Sequence, residues 1–214
     1  MITKTEWMVL NRGLDARAVY GMDMDTGLMD ASDFDQLVSD TKAEMQEKLL
    51  FDMDGNLTLP GFLLMRNLEF YKQSKRYITI NGHTTIGIQE GDEACVLIRK
   101  DGDYRLKRMY KADILSLLQS SFPMFTNGIP QHGYTETVTS NAMITRLLRA
   151  RANLFHIYVD NPKIDRTYFE ENNQCFAYDP TKHIAQKDTG THLLKTVEDL
   201  LMMGEGNHGG HHKD

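Results

Sequence analysis

The sequence predicts an α+β fold, with a central, mainly antiparallel sheet flanked by helices in a pseudo-two-fold arrangement. Three observations carry that prediction. Short runs alternating apolar and polar residues, punctuated by Asn81-Gly82 and Asp101-Gly102, mark a meander of about four strands between residues 77 and 109. Segments with apolar residues three and four apart lie before and after the meander. The order helix, strands, shorter helix then occurs twice, over 59–120 and over 140–203. One domain over 1–203 is expected, with halves of about 1–125 and 134–203 and a disordered Gly/His-rich tail over 204–214.

Residues 6–9 open the chain as a strand or a short helix. Ser32 and Asp33 are suitable caps for a helix running to about residue 50, with Leu37, Val38, Met45, Leu49 and Leu50 as its apolar stripe. Asp54-Gly55-Asn56 is a turn. Thr58 caps a second helix, with Pro60 in its first turn, that ends near residue 74 and carries Phe62, Leu63, Met65, Leu68 and Tyr71. Strands over 77–80 and 85–88 flank the Asn-Gly turn. The continuous apolar run from Ala94 to Ile98 fits a strand covered on both faces. The next strand, 104–109, alternates apolar with basic residues, so one face is wet.

A helix over 111–120 places Ile114, Leu117 and Leu118 on one side, and Phe122-Pro123 closes it. A loop spans 123–133. A third long helix runs from about 140 to 153, a strand from 154 to 159, and a strand or hairpin from 166 to 178. The last helix starts at Thr191, buries Leu193, Leu194, Val197, Leu200 and Leu201, and has Gly204 in a C-cap position.

Composition narrows the function classes. A chain of 214 residues with 41% hydrophobic and 25% charged residues is ordinary for a globular protein. Its formal charge of −6 repels phosphate, which argues against a nucleic-acid partner. The charge is uneven. Acids crowd residues 15–54, while 66–76 and 99–111 are basic, so the surface is either two solvated faces or a dipole that orients a partner. No apolar run approaches the roughly 20 residues of a membrane span. The N-terminal residues lack a basic region followed by an apolar stretch, so a cytoplasmic location is expected. Cys95 and Cys175 sit in apolar stretches and read as buried, reduced thiols.

No nucleophile, phosphate-loop, dinucleotide or zinc-protease motif is present, so no catalytic residue, cofactor or metal site is assigned and the chain reads as a non-enzyme. Asp52-Met53-Asp54-Gly55-Asn56 starts like a calcium loop, but the twelfth position is Leu63, which cannot ligate; the loop from Asp23 fails at Phe34 in the same way. His208, His211 and His212 lie in the tail, without the supporting shell a metal site needs. His156 sits in an apolar strand and reads as a hydrogen-bonded core residue. The 13 methionines fill core space or, at Met22 and Met24 on an acidic loop, suit adaptable contacts. Helix, turn, helix and hairpin over 33–109 also follow the order of a winged helix, which keeps a transcription regulator as the alternative function.

A family resemblance rests on residues 33–123 together with Glu6-Trp7-Met8-Val9-Leu10. It comprises the acidic helix ending Glu47-Lys48-Leu49-Leu50, then Asp54-Gly55-Asn56-Leu57-Thr58 before Gly61-Phe62, Tyr71, Ile78-Thr79-Ile80-Asn81, Glu93, Lys111-Ala112-Asp113-Ile114 and Phe122-Pro123. This pattern resembles the EsaE-type accessory proteins of Firmicute type VII secretion loci, many grouped only as a domain of unknown function and similar in architecture to the EspG chaperones of ESX systems. The resemblance implies a cytoplasmic chaperone or adaptor for a secreted helical-hairpin protein, delivering it to the secretion ATPase. Large apolar side chains on predicted loops, Met22, Met24, Phe122, Met124, Phe125 and Ile129, are the candidate partner-binding residues.

Overall fold

The computed structural model describes residues 1–23, 30–126, 134–150 and 153–202. The Gly204 cap and the histidine-rich tail lie outside the described residues. The fold is α+β, as expected. Three helices open it: α1 (Lys4–Arg12), α2 (Ala31–Glu47) and α3 (Leu59–Lys72). Four strands follow, β1 (Arg76–Ile80), β2 (Thr84–Ile88), β3 (Glu93–Lys100) and β4 (Asp103–Tyr110), then α4 (Lys111–Ser121) and a 3-10 turn at Pro123–Thr126. Short β5 (Thr135–Thr137) precedes α5 (Ser140–Arg149). β6 (Leu154–Val159), β7 (Ile164–Glu171), β8 (Gln174–Asp179), β9 (Ile184–Asp188) and α6 (Gly190–Met202) complete the described chain.

The order helix, four strands, helix therefore runs from α3 to α4 and again from α5 to α6. The nine strands form one antiparallel sheet of order β4-β3-β2-β1-β6-β7-β8-β9-β5, a sequence mirrored about the β1–β6 pair apart from the added β5. The chain divides into two compact units. One comprises Met1–Gln73 with Cys95–Arg108; the other comprises Ser74–Ala94 with the chain from Met109 onward.

In the first unit, α1 resolves the opening segment as a helix. Thr3 and Glu6 cap each other's backbone in a capping box. Glu6 is fully buried, and its Oε2 accepts from the Thr3 N–H at 2.8 Å and from Lys48 Nζ at 2.7 Å. A buried carboxylate needs such partners to offset its lost hydration. Trp7 and Leu10 on α1 and Leu68 and Tyr71 on α3 are buried, and the Tyr71 hydroxyl donates to the Tyr20 carbonyl at 2.8 Å. Residue Ile2 makes a two-way backbone bridge with Tyr104. The α2 cap falls two residues before Ser32, the earlier of the two expected caps: Asp30 accepts the Asp33 N–H at 2.9 Å and the Ser32 hydroxyl at 2.8 Å. A carboxylate reaches the exposed N–H groups of the first turn better than a residue already inside it.

In the second unit, β1 pairs with β6 over five residues, from Arg76 opposite Val159 to Ile80 opposite Phe155. Asn81 and Gly82, both at positive φ, open the three-residue turn, closed by His83, that joins β1 to β2. α6 buries Leu193, Val197, Leu200 and Leu201, as its spacing required. Arg146 of α5 pairs with Glu136 of β5 and, at 2.7 Å, with Glu171 of β7, and lies over the stacked rings of Phe169 and Phe176. β5 and β9 escaped the sequence reading. β5 has only three residues, and β9, Ile-Ala-Gln-Lys-Asp, carries little β-branched or aromatic signal. α5 ends at Arg149, four residues short of the expected end.

Asp15 links the start of the first unit to α3. Its carboxylate accepts from Lys72, and that hydrogen bond, helped by the Arg17 backbone and side chain, lowers its pKa to about 2. Its ionised form is therefore favoured by folding. That contribution is present above an unfolded value of about 3.9 and is lost as pH falls through about 2. In urea titrations, the gap in midpoint between wild type and Asp15→Asn is expected to be constant above pH 5 and to shrink towards pH 2.

Candidate functional site

The corner between α2 and α3 is built from backbone constraints. The Leu50 N–H donates to the Met45 carbonyl at 2.8 Å and the Leu49 N–H to the Gln46 carbonyl at 2.9 Å, the two bonds of a Schellman ending. Met45 and Leu50 are both buried, which supplies the apolar contact of that motif. The residue in the left-handed position is Leu49, at φ +56°, where glycine is the usual occupant. A leucine there costs on the order of 1 kcal/mol.

A tight turn follows. Asp52 Oδ1 accepts the N–H groups of Asp54 at 3.0 Å and Asn56 at 2.8 Å, which holds its carboxyl below the usual range, with the Asn56 bond as the largest cause. Gly55 supplies the positive φ of +86°. The Thr58 N–H returns to the Leu50 carbonyl at 3.1 Å, while its side chain accepts the Gly61 N–H at 3.2 Å. Gly61 lies so close to α2's end that a Cβ there would stand 2.1 Å from the Leu50 oxygen.

That approach sets the roll of α3. Gly61, Leu68 and Tyr71 face inward. The opposite face carries Leu59, Phe62 and Leu63, which are 71%, 50% and 54% exposed. Leu49 at 65%, Met53 at 85% and Leu57 at 39% join them on the corner. Large apolar side chains gathered at one exposed place mark contact surfaces more often than chance exposure does. Along α2, Asp33, Asp40, Glu44 and Glu47 recur at helical spacing on one exposed face that leads to this corner.

The loop residues singled out from sequence lie elsewhere. Met22, Met124 and Phe125 are buried, and Phe122 is half-buried with its ring edge-on to Phe155 at 5.0 Å. Met24 and Ile129 fall outside the described residues. Met22, Met124 and Phe125 pack as core, and with the half-buried Phe122 they do not form an exposed patch. Leu49 and Phe62, read as helix-stripe residues, are instead the exposed ones. The signal for the corner was present, since the first half of α3, Leu59 to Met65, is apolar on all sides, but nothing in that stretch alone says which side faces in.

Cys95 and Cys175 are free and buried, and burial pushes the Cys175 thiol up to about 12, so it stays protonated. His156 Nε2 lies 2.9 Å from Asp165 across β6 and β7. Among the described residues, no group of three or more His, Cys, Asp or Glu is placed to hold a metal ion, and no helix is long and apolar enough to cross a membrane.

The molecule is thus an α+β protein with a twice-repeated helix, four-strand, helix order and an apolar corner on its surface. Residues 2–142, about two thirds of the chain, match the family described as Domain of unknown function (DUF5081), and the chain belongs to that family. No curated protein matches it.

Substitutions separate fold from surface here. Gly61→Ala is expected to lower the unfolding free energy by about 2 kcal/mol or more, because the Leu50 carbonyl has no room to yield. Leu49→Gly should raise it by about 0.5–1 kcal/mol by relieving the left-handed leucine. Phe62→Asp should shift it by less than about 0.5 kcal/mol, as for other exposed positions. Urea denaturation of the three variants beside wild type measures all of this.

Proposed function

We propose that the protein is a chaperone or adaptor that binds a helical type VII secretion substrate in the cytoplasm and helps target it for export. The observation that carries this reading is the apolar corner, where Leu49, Met53, Leu59, Phe62 and Leu63 stand out from a fold that does not use them. Such a surface is suited to covering the apolar face of a partner helix before that helix finds its final place. Leu49 supports it further: a strained, exposed leucine held where glycine would be cheaper is retained at a cost to stability. The spaced pattern over 33–123 that resembles EsaE-type accessory proteins supports the type VII setting. Delivery to the membrane-bound secretion ATPase is the step that would follow.

The winged-helix alternative draws less support. α3 would be its recognition helix, yet its exposed face is led by leucine and phenylalanine, its exposed Arg66 lies beside Glu69 at 4.0 Å, and Lys72 is turned to Asp15 and Asn11.

Co-expression of the tagged protein with a small helical-hairpin protein encoded in its own locus tests the reading. Stable co-elution, with the hairpin protein soluble only in the presence of this chain, is the expected result. If every co-encoded hairpin protein passes through unbound, the proposal fails.

A further inference from the structure

The apolar corner does not stand on a neutral surface. Glu47 ends α2 two residues before Leu49, and Asp52 and Asp54 flank Met53. Asp40 and Glu44 continue the line of acids up the exposed face of α2. Among the described residues, no ion pair engages Glu44, Glu47 or Asp54. The nearest cation in sequence, Lys48, is spent on buried Glu6 at 2.7 Å. The α2 side of the rim is therefore acidic, while on α3 the exposed Arg66 faces Glu69 at 4.0 Å; the apolar centre is made by Leu59, Phe62 and Leu63 at positions i, i+3 and i+4 of one helix.

We propose that this corner takes the apolar face of an amphipathic helix whose flanks carry lysine or arginine, presented by a second protein. The proposal rests on the carrier reading above and specifies which surface and which chemistry it uses. Apolar side chains of the partner cover Leu59, Phe62 and Leu63, and Met53, with its unbranched thioether, adapts to what arrives. Cationic side chains at the edges of the partner helix meet Glu47, Asp52 and Asp54. The rim gives orientation and rejects acidic helices, since like charges brought together cost more than mixed ones gain. A partner helix with glutamate flanks would be excluded even if its apolar face were identical.

The test uses the full chain and two labelled peptides of about 18 residues, long enough to fold on contact. Both place leucine at helical spacing; one fills its polar face with lysine and the other with glutamate. Fluorescence anisotropy is expected to show the lysine peptide binding at least about tenfold more tightly than the glutamate peptide. Phe62→Asp, and separately the pair Glu47→Lys with Asp54→Lys, should each weaken the lysine peptide by about tenfold or more. Leu117→Asp, a change at an exposed leucine on α4, should leave binding as in wild type. Equal binding of the two peptides, or binding unmoved by Phe62→Asp, overturns the proposal. The charge-reversed pair keeps the test alive if Phe62→Asp does not fold.

A co-encoded hairpin protein retained equally by wild type and Phe62→Asp would place the client elsewhere and leave the carrier reading standing. Peptide binding as expected, with no co-encoded hairpin protein retained, would keep the corner and remove the carrier reading.

Discussion

The pairing of β1 with β6 is the contact on which the sheet depends. These strands are almost 80 residues apart in sequence, and they meet antiparallel over five residues with Ile78 opposite Ile157. Each is the first strand of a four-strand meander. Once they pair, each meander has only one direction in which to grow, and the strand order on one side repeats that on the other. The register is held by burial: Ile78, Ile80, Phe155, Ile157 and Val159 are all in the core, and a slip of one residue would turn them to the opposite face. Asn81 adds a polar lock, with its side chain accepting the Leu154 N–H at 2.9 Å.

A smaller constraint governs the apolar corner. The contact between Gly61 and the Leu50 carbonyl is backbone against backbone, so it fixes the rotation of α3 more firmly than side-chain packing would. Leu68 and Tyr71 then have one face to fill, and Leu59, Phe62 and Leu63 have nowhere to go but outward. Stability and exposure are thus two outcomes of one close approach. The left-handed Leu49 belongs to the same economy: the Schellman bonds close the helix whatever residue stands there, which leaves its side chain available for contact.

The two units differ in how they use charge. Around α1 the fully buried Glu6 pairs with Lys48, while the exposed Asp15 pairs with Lys72, whose side chain is buried. In the second unit Arg146 ties α5 to two strands through Glu136 and Glu171 while resting on aromatic rings. In both, a cation with a long apolar stem reaches from the protein surface to a carboxylate. Among the described residues, Glu44 and Glu47 on the α2 face have no such partner.

The sequence by itself determined the α+β class, the four-strand meander, the caps at Thr58 and in the Asn-Gly and Asp-Gly turns, and the buried stripe of the last helix. These are local: a turn that needs positive φ, a hydroxyl that accepts an N–H, a repeat of two or of 3.6 residues. Tertiary structure alone decided which face of the apolar first half of α3 is buried, and so which leucines are exposed. It also decided that Met124 and Phe125, on a predicted loop, are core, because Phe155 and α6 close over that segment. Periodicity records that a side chain is apolar; only the neighbours brought close by the fold determine whether water or protein covers it.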